Sequence, residues 1–252
     1  MSLWSQRRKF EYAAVAILVI LIPIILIGYS YFHRAPTCFD GAQNGDEKGV
    51  DCGGACLKLC DFQTIPLIQR WQRISRVSAG LYNALAYVEN SNQDAAILNI
   101  SYLFKLYDED GVVIAKREGT AAFPPKKISP IFEGAIDTGQ RTAVRVTFEF
   151  TADQVWEKYS KPQPNISLTD KVATSTDSIP RLDVYAENLS SERIPHVDFI
   201  AIMYDEKGNA MAFSRTAINK MERNAPQDLV FTWREPFPSP VSKIEVIPEV
   251  NF

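Results

Sequence analysis

The residues best suited to chemistry are gathered in one short stretch. All four cysteines, Cys38, Cys52, Cys56 and Cys60, lie within it, together with the carboxylates Asp40, Asp46, Glu47 and Asp51. The stretch is rich in Gly, Asp and Asn and poor in large apolar residues, so cross-links must hold it where no core can. Outside the cytoplasm, four cysteines most simply mean two disulfides. Three pairings exist, and spacing alone does not choose among them. Adjacent pairs such as Cys52 and Cys56 would close very small loops, which favours Cys38 pairing with one of the later three. Zinc is the rival, but Cys52, Cys56 and Cys60 are not in C-x-x-C steps. Calcium is a second possibility. Asp40, Asn44, Gly45, Asp46 and Asp51 fall at positions one, five, six, seven and twelve of an EF-hand-like loop. Against it, position three is Ala42, position twelve is Asp and not Glu, and no flanking helices are evident. The same residues would equally build Asx turns with Gly at positive φ.

Other chemistries find little support. The two histidines, His33 and His196, are far apart in sequence and neither stands in a Cys or acidic cluster, which argues against a His-based triad or a multi-His metal site. Asp108, Glu109, Asp110, Asp205 and Glu206 sit at expected hairpin turns, where acidic residues serve the backbone. No nucleophile–base pair or convergent carboxylate cluster is visible, so the chain reads as a non-enzyme without a cofactor, calcium aside. A net charge of −3 with mixed signs speaks against a nucleic-acid surface. Asn99, Asn165 and Asn188 each begin a glycosylation sequon. Trp71, Trp156 and Trp233 share no spacing and read as core or boundary residues. Lys126 and Lys127, after Pro124 and Pro125, read as an exposed loop.

The cysteine stretch, Cys38-Phe39-Asp40-Gly41 … Asn44-Gly45-Asp46-Glu47 … Gly49-Val50-Asp51-Cys52-Gly53-Gly54-Ala55-Cys56 … Cys60, resembles a short cysteine-rich motif that recurs in bacterial surface proteins. The resemblance implies a compact extracellular spacer or interaction module and supplies no ligand.

What must position these residues begins upstream. Tyr12–Phe32 is an uncharged run of 21 residues dominated by Ile, Leu, Val and Ala. At about 1.5 Å per residue a helix of that length matches a bilayer's hydrocarbon core. Arg7, Arg8 and Lys9 precede it and Arg34 follows, so the N-terminus is expected in the cytoplasm. Tyr12, Tyr29, Tyr31 and Phe32 suit the headgroup level, and a membrane span tolerates Pro23. A cleaved signal peptide is the rival, though the run exceeds the usual signal core.

Beyond Asp61 the chain repeats itself. Leu85–Asn90 resembles Asp183–Asn188, and Leu106–Gly111 resembles Met203–Gly208, at offsets of 98 residues (Asn90 to Asn188) and 97 (Gly111 to Gly208). A period near a hundred residues indicates a duplicated domain. Each copy reads as all-β. Strands are expected at Leu98–Tyr107, Val112–Ile114, Thr142–Phe150, Val197–Tyr204, Ala210–Thr216, Leu229–Trp233 and Ile244–Ile247, with hairpin turns at Asp110-Gly111 and Lys207-Gly208. Ile68–Ile74 and Ile166–Val172 are expected to open the two copies. Thr151-Ala152-Asp153-Gln154 reads as a capping box starting one short helix to Tyr159.

Phe104-Lys105-Leu106-Tyr107-Asp108 spells the F-x-L-Y-D signature and so resembles a bacterial extracytoplasmic β-sandwich family. In the second copy Ala201–Asp205 keeps only Tyr204 and Asp205. The resemblance implies immunoglobulin-like modules on an envelope protein.

The expected fold is therefore mainly β: one N-terminal transmembrane helix, a small disulfide-rich module and two tandem immunoglobulin-like β-sandwiches. The expected segments are a cytoplasmic tail at 1–11, the transmembrane helix at 12–32, the cysteine-rich module at 35–61, and sandwiches at 62–160 and 161–252. The expected setting is a cell membrane, with the C-terminal domains outside the cytoplasm. The expected partners are the lipid bilayer and another envelope or surface protein, not nucleic acid. The expected role is structural or adhesion-like protein interaction. The alternative is an accessory subunit of a secretion or pilus-type assembly.

Overall fold

The computed structural model describes residues 3–32 and 37–250. They form two compact units, Met1–Cys56 and Leu57–Phe252.

In the first unit, helix α1 runs Leu3–Phe32, so helix already begins within the segment expected as a tail. The stretch Lys9–Tyr29 is long and apolar enough to cross a membrane, with a mean hydropathy of 2.7, and none of it is buried by protein. Pro23 lies inside the helix without ending it. The part of the cysteine module in this unit has no helix or extended strand among its described residues, only turns, bends and one isolated bridge between Gly49 and Cys52.

Among its described residues the second unit is strand, turn and loop apart from one 3-10 turn at Asp61–Gln63. Its first half contains β1 (Ile68–Ser78), β2 (Leu81–Asn90), β3 (Ala95–Tyr107), β4 (Val113–Phe123), β5 (Lys127–Asp137), β6 (Arg145–Phe150) and the two-residue β7 (Glu157–Lys158). Its second half contains β8 (Ile166–Thr174), β9 (Arg181–Asn188), β10 (Val197–Tyr204), β11 (Ala210–Ile218), β12 (Pro226–Thr232) and β13 (Lys243–Val250).

The two halves have the same antiparallel topology. The first pairs strands in the orders β1-β2-β5 and β4-β3-β6; the second pairs them as β8-β9-β12 and β11-β10-β13. One irregularity coincides as well. Register shifts between Leu106 and Tyr107 in the first hairpin, and between Met203 and Tyr204 in the second. The duplication seen in sequence is thus a duplication of pairing and not only of residue type.

Alternation builds each core. Ile100, Tyr102, Phe104 and Leu106 of β3 face Ala84, Ala86 and Val88 of β2 across the first sandwich. Val197, Phe199, Ala201 and Met203 of β10 face Leu182, Val184 and Ala186 of β9 across the second. Each large side chain so covered stabilises the fold by about 1.5–3 kcal/mol.

The expected helix after Thr151 does not form. Gln154 accepts a hydrogen bond from the Leu67 amide instead of capping a turn (3.0 Å). Trp156 is drawn into the first core, and Glu157 and Lys158 pair with β3. A tertiary role for both residues overrides the local capping signal. The strand expected from Thr142 begins three residues later, at Arg145; Val144 is half exposed, while the Ala143 amide donates to the Tyr82 hydroxyl.

Buried asparagines tie the strand ends. Asn90 donates to the carbonyls of Ala95, Phe123 and Pro124, and its Oδ1 accepts from Asn92. Asn188, its counterpart, donates to Glu192 and Met221 and accepts from the Ser190 amide.

Candidate functional site

In the cysteine module, Cys38 and Cys56 are joined, as expected of Cys38, with Cα atoms 5.7 Å apart and a sequence separation of 18. Cys52 and Cys60 are also disulfide-bonded, and no cysteine is free. The described residues bring ligand atoms of Cys38, Glu47 and Cys56 within 4.8 Å of one another. Two of the three are sulfurs of one disulfide, which offer no thiolate to a metal.

The candidate calcium residues come together as a hydrogen-bonded loop. Both Asp51 oxygens accept the Gly41 amide (3.0 and 3.1 Å), and one also accepts that of Asp40 (3.0 Å). Asp40 accepts the Ala42 amide (3.0 Å) and the side-chain amide of Asn44 (2.9 Å). Asp46 is exposed. Glu47, which the EF-hand spacing does not single out, ties the loop from inside: its carboxylate accepts the amides of Asn44 and Asp51 (3.2 and 3.3 Å). Its place directly after Asn44-Gly45-Asp46 in the cysteine motif was the available signal. A cation at Asp40 and Asp51 would have to compete with these N–H donors. Gly54, at φ +57°, passes so close to the Asp46 carbonyl that a Cβ there would collide with it.

The hairpin acids serve turns. Asp108 accepts the Val112 amide (2.8 Å) and pairs with Arg141 (3.2 Å). Asp205 accepts the amides of Lys207 and Asn209 (2.9 and 2.8 Å), and the hydrogen bond from the Asn209 backbone, above all, holds its carboxyl below the usual aspartate range. Of the sequon asparagines, Asn188 is fully buried and so inaccessible to modification, while Asn99 and Asn165 are exposed.

The most elaborate constellation lies between the sandwiches. Sheet β1-β2-β5 packs its outer face on the outer face of β11-β10-β13, burying Leu85, Tyr87, Ile200, Ile202, Tyr204 and Phe213. For this reason β2 and β10 are buried on both faces. Trp71 stacks on Tyr87 (ring centroids 4.8 Å apart) and meets Tyr204 edge-on. Trp156 and Trp233 belong to the two cores. The hydroxyls of Tyr87 and Tyr204 both donate to Glu245, at 3.0 and 2.7 Å. Burial first, then Glu245, raises both phenols, so each remains a donor.

Lys127, expected in an exposed loop, opens β5 instead. Its ammonium donates to the Pro248 carbonyl (2.8 Å) and lies 3.1 Å from Glu249. No local pattern announces this contact, because the nearer of its partners, Pro248, is 121 residues away. Only Lys126 is exposed as expected.

No protein-family model matches the chain, and no curated protein matches it. Among solved structures, a crystal structure of red sea bream transglutaminase shares 10% identity over 71% of this chain and 31% of that one, with a TM-score of 0.23. The chain thus spans under a third of that structure's length, and a likeness this loose carries no assignment of fold or activity.

Proposed function

We propose that the chain is a single-pass membrane protein whose disulfide module and twin sandwiches stand outside the cytoplasm as a non-catalytic structural or protein-interaction element. The apolar stretch Lys9–Tyr29 carries this reading: it is unburied by protein and therefore needs lipid to cover it. The oxidised cysteines agree with an extracytoplasmic setting. The mutual burial of two sheet faces supports a stiff spacer more than a flexible pair of beads. The hairpin acids Asp108 and Asp205 and the buried Asn90 and Asn188 are engaged in turns and strand-end contacts, which supports a scaffold role.

The test is expression of the tagged full chain in a bacterial inner membrane. Alkaline carbonate should leave it in the membrane fraction at full length. Protease added to spheroplasts should remove the C-terminal tag and spare the N-terminal one. Release by carbonate, or a mass shortened to a start near Ser30, would overturn the anchor. Co-purification of another envelope protein at fixed stoichiometry would identify the interaction role; its absence under crosslinking would leave the spacer role.

A further inference from the structure

At one end of the contact between the sandwiches lies a cavity of about 150 Å³ whose walls include Tyr102, Ser129, Phe132, Asp198, Arg215 and Glu249. Glu249 and Asp198 are direct cross-strand partners in β13 and β10. Two like charges so placed oppose each other. The first sandwich then covers them: the Glu249 side chain keeps 21% of its exposure, and its Oε1 is shut off from solvent. Among the described residues, Lys127, reaching over from β5, offers Glu249 its counter-charge, and that ammonium also serves the Pro248 carbonyl. Asp198 has partners of its own, His196 at 3.5 Å and Arg215 at 3.9 Å. The remaining polar neighbours are Ser129 beside Glu249, and the Tyr102 hydroxyl, which donates to Glu133 (2.8 Å). Lys126 and Lys161 line the groove on the other side of Pro248.

We propose that Glu249, with Asp198 across the strand and Lys127 across the interface, is a proton-operated latch between the two sandwiches. Protonated, Glu249 is a neutral group that the covered site accommodates. Ionised, it is a second carboxylate beside Asp198 at a largely covered position, its Oε1 shut off from solvent. Burial pushes its carboxyl up to about 7, against the pull of Lys127 and Ser129 and with a further push from Asp198. The sign follows. A carboxyl raised in the folded state binds its proton more tightly there than in the opened state. The latch is therefore fully closed below the ordinary glutamate range and loosens as pH rises through about 7.

Amide hydrogen exchange of the full chain in detergent micelles, corrected for intrinsic rates, tests this at pH 6 and pH 8. Protection of β5 and β13 at the interface should fall by about tenfold or more between the two. Glu249→Gln should hold the pH 8 protection at the pH 6 level. His196→Gln should leave the wild-type dependence intact. Asp198→Asn, an independent variant, should move the transition to lower pH. A wild type without pH dependence, or a dependence that survives Glu249→Gln or disappears in His196→Gln, would overturn the latch. Should Glu249→Gln fail to fold, the Asp198→Asn shift decides: an unmoved transition rejects the proposal.

Discussion

In the first sandwich, Leu85 and Tyr87 project from β2 into the contact between domains, with Phe132 beside Leu85 on β5. At the matching register of the second sandwich stand Asp183, Tyr185 and Val230, and there they face outward, with Arg181 paired to Asp183 at 2.6 Å. The opposite sheets differ in the reverse sense. The second sandwich buries Ile202 between Phe213 and Glu245, where the first has Lys105 between Lys116 and Thr147. Lys105 is instead paired with Glu149 at 2.6 Å. The two copies keep their inner faces apolar and their pairings alike, but each has one outer face made adhesive and the other made polar. A head-to-tail contact between unlike faces could in principle repeat without end. Charged pairs on the two uncovered faces, Lys105 with Glu149 and Arg181 with Asp183, oppose a second such contact.

That contrast can be broken most severely by exchanging its residues. Leu85→Asp places an unpaired carboxylate where Leu85 is fully buried, and should cost about 4 kcal/mol or more. The sandwiches should separate or unfold, read as a larger radius of gyration and new protease cleavage between Tyr159 and Ile166. The buried asparagines compare the copies next. Asn90→Ala should cost about 3–4 kcal/mol and Asn188→Ala about 2–3 kcal/mol in urea unfolding, since Asn90 satisfies more groups. Equal losses would show that the second copy leans on its asparagine as much as the first.

Tyr204→Phe should weaken the contact by about 1–2 kcal/mol, because Glu245 loses one of two hydroxyl donors. Asp183→Leu should leave stability nearly unchanged but promote self-association at high concentration, seen by sedimentation, if charge is what ends the array. The smallest expected effect separates the hairpins by pH. The depressed carboxyl of Asp205 contributes stability that is present above the ordinary aspartate value and is lost as pH falls through its lowered one. Exchange at Lys207 and Asn209 should quicken there. Asp205→Asn should abolish that pH step.

Local signals are legible where they are repeated many times over. The β-rich run Val197–Tyr204, leading into the Lys207-Gly208 turn, matches β10 to the residue, and the recurrence of Tyr-Asp turns marks the duplication. Where one signal stood alone it failed: the capping box at Thr151 depended on Gln154, and that side chain found the Leu67 amide 87 residues away.

By itself, the sequence determined the apolar helix, the cross-linked module, many of the strands and the existence of two copies, but not β5, whose start reads as a loop, nor β7, whose residues read as helix. Each is written in neighbouring residues, through hydrophobic run length, period-two alternation and Gly-containing turns. Tertiary structure alone decided that Cys38 joins Cys56, that Glu47 ties the cysteine loop, and that Lys127 meets Glu249. It also decided which two of four outer sheet faces are covered. A strand with both faces apolar shows that something lies on each side, but not what. That choice is made by shape and charge between segments more than a hundred residues apart, where the spacing of residues along the chain carries no distance information.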